Sequence, residues 1–201
     1  MLGKVGNSMK HLLCCIGLEV ETFRLYQCVA KKIDYPELRS LVVNIAYDTV
    51  KHSETIRELL RTVGKVEVKV ENCSKNWYEL WKGIVEASEH ISMMVNISDE
   101  EFREIFHGLA KLEDGLIESY YFLLGLKVHE SLAKELGKLA PVDLEDLVGI
   151  FERIIEDKQR HKDTLIGIGY RFAAKEATKA RDRAPVVRYL NPDSWHEQPM
   201  G

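Results

Sequence analysis

No two of the four cysteines (Cys14, Cys15, Cys28 and Cys73) stand in a Cys-x-x-Cys arrangement, and none has the spacing of a zinc ribbon. A rubredoxin-type iron site and a dithiol redox motif are thereby excluded, and buried thiols are the expected state. Proline is scarce where it would matter. Pro36 and Pro141 precede periodic segments, and Pro185, Pro192 and Pro199 lie in the last stretch, so nothing from 37 to 140 forbids a helix. No uninterrupted apolar run approaches the roughly 20 residues of a membrane helix. The short run Leu12 to Leu18, behind Lys4 and Lys10, meets Glu19 and Glu21 at once and has no small-residue cleavage pattern after it. Neither a membrane partner nor a secretory leader is expected, and the expected location is cytoplasmic. A net charge of −4 leaves no excess of basic surface, so no nucleic-acid partner is expected.

What is present is helical periodicity. The 201 residues are 45% apolar and 30% charged, enough for one well-buried core. Leu12, Ile16, Glu19, Phe23, Tyr26, Ala30 and Ile33 recur at steps of three and four and share one face of a helix over 9–33. A second stripe runs from Pro36 to about Thr62 through Leu38, Ile45, His52, Ile56 and Leu59. Residues 63–97 read as a long crossover. It opens with a β-like alternation, Val66-Glu67-Val68-Lys69-Val70, and continues as an amphipathic run from Trp77 to Met94 that covers the bundle or forms an oligomer interface. Ser98-Asp99-Glu100-Glu101 is a capping box that starts a third long helix, with Phe102, Phe106, Glu113, Tyr120 and Leu123 on one side, expected to run to about Leu136. After Pro141, with Asp143 as candidate cap, a fourth presents Leu147, Ile154, Asp157, His161 and Leu165.

Two of these stripes repeat a polar set inside an apolar face. Leu18-Glu19 followed by Tyr26 recurs as Leu112-Glu113 followed by Tyr120, and Ile45, Asp48, His52 and Ile56 recur at the same spacing as Ile154, Asp157, His161 and Leu165. Seven residues advance a helix by two turns less about 20°, and four by one turn plus about 40°, so each set faces one way. Glu19 should lie near the level of His52, and Glu113 near that of His161. Ionised carboxylates in an apolar interior cost several kcal/mol each unless positive charge meets them. Carboxylate with neutral imidazole is a ligand set suited to iron, manganese or zinc. Tyr26 and Tyr120 read first as core aromatics whose hydroxyls bond the carboxylates, with a redox or substrate-orienting role as the alternative. Glu21 and Glu118 point elsewhere on their helices.

Four long helices with two short links and one long crossover describe an all-α four-helix bundle over 1–179, with an extended C-terminal tail over 180–201. This arrangement, with the two Glu…Tyr motifs and with Asp48-Thr49-Val50-Lys51-His52 and Asp157-Lys158-Gln159-Arg160-His161, resembles the ferritin-like, rubrerythrin-type di-iron proteins across roughly residues 9–170. The resemblance implies one or two iron or manganese ions, with zinc as a further candidate, held by Glu19, His52, Glu113 and His161 and assisted by Asp48 and Asp157. It also implies oxygen or peroxide reduction or Fe(II) oxidation with an external electron donor, and a homodimer. The chain departs from that family where a bridging glutamate should stand three residues before each histidine: Thr49 and Lys158 occupy those places. An inward Lys158 would neutralise Glu113 and stand where a metal would sit. The alternative reading is therefore a non-catalytic bundle with a degenerate site that serves as scaffold or binding module.

Overall fold

The computed structural model describes residues 7–61, 73, 75–125 and 144–173. Five helices account for nearly all of them: α1 (Asn7–Lys32), α2 (Pro36–Arg61), α3 (Lys75–Met93), α4 (Asp99–Gly125) and α5 (Leu144–Ala173). The first two stripes, the crossover helix and the last two stripes thus form as their periodicity requires. The Val66–Val70 alternation, the extension of the third helix past Gly125, Asp143 and the tail over 180–201 lie outside the described residues.

Local chemistry fixes the ends. The α1 to α2 link is three residues long. Arg39, one turn into α2, donates from Nε and Nη2 to the Ile33 carbonyl at 2.8 and 2.6 Å, so a carbonyl just past the end of α1 has charged donors. Pro36 opens α2, where its missing N–H is one of the helix's orphans anyway. At α4 the capping box forms as expected: the Ser98 N–H donates to Glu101 Oε2 at 2.8 Å, and the Glu101 N–H donates to Ser98 Oγ at 3.2 Å. Asp99, Glu100 and Glu101 put three carboxylates at the positive end of the same helix.

Helices α1 and α2 pack as one antiparallel hairpin and α4 and α5 as another. The two close on a shared core that includes Leu12, Leu25, Ile56, Phe106, Phe151 and Leu165, all without exposed surface. At Gly169 α5 passes beside α4, where an added Cβ would stand in ordinary van der Waals contact, 3.5 Å from that of Phe106. Helix α3 lies outside this four-helix core. It packs on α1, turning Trp77, Leu80, Ile84, Ala87 and Ile91 inward, which settles the crossover run as cover on the bundle. No described helix is long and apolar enough to cross a membrane.

One sequence expectation needs correcting. Cys14 is not a free thiol: it is disulfide-bonded to Cys73, with a Cα–Cα separation of 5.9 Å. Cys15 and Cys28 remain free. The pairing joins positions 59 apart across the crossover, a relation that no spacing rule anticipates.

Replacing Ser98 by Ala removes one half of the α4 capping box and should lower stability by about 1 kcal/mol, or some 2–4 °C in melting temperature for a domain of this size. Thermal unfolding of Ser98→Ala beside the parent protein measures it.

Candidate functional site

At mid-height of the bundle each of the four core helices turns polar side chains inward. Glu19 and Tyr26 come from α1, Thr49 and His52 from α2, Glu113 and Tyr120 from α4, and Lys158 and His161 from α5, and all eight are buried. They hold these places because they continue the apolar stripes that drive the helices together; burial of the surrounding leucines and isoleucines takes them out of water.

The geometry is a twofold exchange between the two hairpins. Each tyrosine reaches the glutamate of the other half: Tyr120 donates to Glu19 Oε1 at 2.7 Å, and Tyr26 donates to Glu113 Oε1. Each aspartate likewise reaches the histidine of the other half, His52 Nε2 lying 3.2 Å from Asp157 Oδ2 and His161 Nε2 lying 3.1 Å from Asp48 Oδ2. Within each half the imidazole faces the glutamate, as expected from sequence, with His52 Nδ1 3.8 Å from Glu19 and His161 Nδ1 3.7 Å from Glu113. Neither Nδ1 has a hydrogen-bond partner. Arg160 closes the outer side, its Nη2 lying 2.6 Å from Asp157 and 3.3 Å from Asp48.

One residue breaks the symmetry. Lys158 is entirely buried, and its Nζ lies 2.9 Å from Glu19 Oε1 and 3.5 Å from Glu113 Oε2. Its counterpart in the other half, Thr49, turns its hydroxyl back to donate to the Ala46 carbonyl at 2.7 Å and takes no part. The ammonium therefore stands between the two glutamates as their shared cation.

The electrostatics follow. Burial pushes the Glu19 carboxyl up, but the Lys158 ammonium, with His52 behind it, more than offsets burial and holds it at about 2. Glu113 is held below its ordinary value by Lys158, His161 and Tyr26 against the same burial. Burial alone would discharge Lys158; Glu113 and Glu19 outweigh it and push its pKa up, so the amine stays charged. Both tyrosines are pushed well above their usual range by burial and by the carboxylates they serve, so they stay protonated donors.

Of the residues expected to converge, Glu19, His52, Glu113 and His161 do. Asp48 and Asp157, expected as short replacement ligands, lie on the outer nitrogens of the imidazoles, away from the side that faces the glutamates. Tyr26 and Tyr120 bond carboxylates, and no substrate-facing surface of theirs is exposed. The inward donors, two carboxylates and two unpartnered imidazole nitrogens, are of metal-binding type. They do not fit a two-metal centre, because neither bridging carboxylate is present and one of those positions delivers an ammonium into the middle. Among the described residues no group of three or more His, Cys, Asp and Glu is arranged to hold a metal ion.

Acid stability reports the arrangement. The Glu19 carboxyl is depressed from 4.5 to about 2 in the folded protein, so its contribution is fully present above about pH 5 and is lost as pH falls toward 2. A shift of that size is worth roughly 3 kcal/mol. Chemical denaturation between pH 5 and pH 2 should show the parent protein losing about that much more stability than Glu19→Gln; equal losses would mean that the carboxylate is not held ionised.

No curated protein and no solved structure matches the chain. A model of the rubrerythrin family does match, across residues 10–122. The match takes in α1, α2, α3 and most of α4, with Glu19, Tyr26, His52, Glu113 and Tyr120, and stops short of the helix that carries Lys158 and His161. It covers more than half of the chain, and with the all-helical bundle and the repeated carboxylate and imidazole motifs it establishes that this chain belongs to the rubrerythrin family.

Proposed function

We propose that this protein is a metal-independent member of its family, a helical scaffold or binding module in which the ammonium of Lys158 does the electrostatic work that iron does in di-iron relatives. The observation that carries this reading is the position of Lys158 Nζ, at 2.9 Å from Glu19 and 3.5 Å from Glu113 with no exposed surface. A dication entering the same space would have to displace a charged group already neutralised by both carboxylates, and would find no bridging glutamate on α2 or α5 to complete its shell. Oxygen or peroxide reduction and Fe(II) oxidation are disfavoured for the same reason: the carboxylates that would balance a rising metal charge are engaged with a lysine and two tyrosines.

Two measurements test the reading. Protein purified without chelator under nitrogen should contain far less than one iron, manganese or zinc per chain by elemental analysis. Its melting temperature should not move with chelator or with added Fe(II), Mn(II) or Zn(II). One tightly held transition metal per chain that disappears in His52→Ala/His161→Ala, with a melting temperature raised by metal, overturns it; a site saturated at 100 times its Kd would add about 2.7 kcal/mol of stability.

The second measurement addresses the lysine. Lys158→Met leaves two buried carboxylates facing each other without a cation and should cost about 3–5 kcal/mol at pH 7, part of it regained at low pH as a carboxyl takes up a proton. Lys158→Glu/Thr49→Glu restores both bridging positions and should bind metal where the parent does not, which separates a blocked site from a protein that merely lost its metal during purification.

A further inference from the structure

Helix α3 is fastened to α1 at both ends, by different chemistry. At its start, Cys73 is bonded to Cys14 of α1. At its finish, Lys32 Nζ at the end of α1 donates to the carbonyls of Ser92 and Met94 at 3.0 and 2.5 Å. Between these points α3 runs parallel to α1 and lies over the seam between α1 and α4. Trp77 meets His11 of α1 at a tilt, His11 meets Phe122 of α4 edge-on, and Leu80 lies 4.0 Å from where a Cβ on Gly115 of α4 would stand. The same two helices, α1 and α4, are joined in the core by the hydrogen bonds from Tyr26 to Glu113 and from Tyr120 to Glu19. Helix α3 thus packs on α1 along the side where α1 meets α4.

We propose that the Cys14–Cys73 bond is a thiol–disulfide switch that sets how firmly α3 covers this seam. The couple exchanges two electrons with a dithiol reductant. The reductant's thiolate attacks a disulfide sulfur, forms a mixed disulfide with one cysteine and releases the other as a thiolate that takes a proton; the reductant's second thiol then resolves the mixed disulfide, leaving two protein thiols and an oxidised reductant. Residue exposure favours Cys73 as the sulfur attacked, since it is half-buried while Cys14 is buried. The neighbouring thiol does not interfere: Cys15 is buried, and burial together with the Glu19 charge keeps it protonated and unreactive. Cys28 lies four turns along α1 from Cys14, beyond disulfide reach. The pair is a clean two-state element. In a reducing compartment such a bond turns over, whereas in an oxidising one it persists, so the redox state of the surroundings is read as the tightness of α3.

Reduction removes the covalent fastening and leaves α3 held by its apolar face and by Lys32. The test is hydrogen exchange of the full chain, read by mass spectrometry over residues 77–91, with a parallel count of thiols in denaturant. Air-oxidised protein should show two thiols per chain, and four after dithiothreitol. Exchange over α3 should rise about 10-fold or more on reduction, while peptides around Glu113 and Lys158 change far less. Cys14→Ser/Cys73→Ser should exchange like the reduced parent with or without dithiothreitol, and Cys28→Ser should switch like the parent. Four thiols in the air-oxidised protein, or α3 exchange unaltered by reduction of the parent protein, overturns the proposal even if the double variant fails to fold. None of these outcomes depends on whether the bundle binds metal.

Discussion

An ammonium with no exposed surface has to be surrounded by negative charge, and the interior of this bundle is arranged around that requirement. Lys158 enters from α5 and meets a carboxylate from α1 and another from α4, so three helices must be in register for any one of the three ions to be tolerable. Each carboxylate is then satisfied further by a tyrosine of the opposite hairpin and faced by an imidazole of its own. Two carboxylates against one ammonium leave an excess negative charge, and the two phenolic O–H donors and the facing imidazoles are placed where they reduce its cost.

That requirement also explains the asymmetry of an otherwise twofold design. Threonine on α2 and lysine on α5 occupy equivalent steps of the repeated motif. Two inward lysines would match the two carboxylates in charge but crowd two like charges into the space between them. Two threonines would leave the glutamates facing each other with nothing between them. One long cation opposite one short neutral residue supplies a single charge, and because the Thr49 hydroxyl is satisfied on its own helix, the exchange leaves no new orphan there. The outer pairs are more symmetric: Lys51 and Arg160 each bond the aspartate three residues away on their own helix, and Arg160 reaches both aspartates. Those surface pairs are solvated and contribute little on their own; they orient the aspartates toward the imidazoles.

The fold was legible because helical stripes are dense in this sequence and no proline falls inside them, Pro36 standing at the first position of α2. The convergence of Glu19, His52, Glu113 and His161 was legible for the same reason, since a face on a helix is fixed by spacing. Depth and partner were not. Asp48 and Asp157 share a face with their histidines to within about 40°, but an aspartate is short, and both stop at the rim of the bundle and meet the far nitrogen of the opposite imidazole. The tyrosines were read correctly as partners of carboxylates, yet spacing gives no sign that each serves the other hairpin. On its own helix a tyrosine seven residues from a glutamate is about 10 Å away, and only an antiparallel neighbour brings one within reach. The disulfide was hidden for a related reason, because its partners are brought together by the packing of α3 on α1.

These exchanges bear on why polar residues are retained in a core that leucines would fill at lower desolvation cost. Sliding one hairpin past the other by a helical turn, about 5.4 Å, would leave the apolar stripes in contact but strand Lys158 between leucines and separate both tyrosines from their acceptors. An apolar core of the same outline would tolerate that slip far better. The pairs α1 with α4 and α2 with α5 are each tied twice, by reciprocal bonds that only one register satisfies. Here a lysine carries a cation within the chain, bonded to carboxylates from two other helices, so the register is specified when the helices pack.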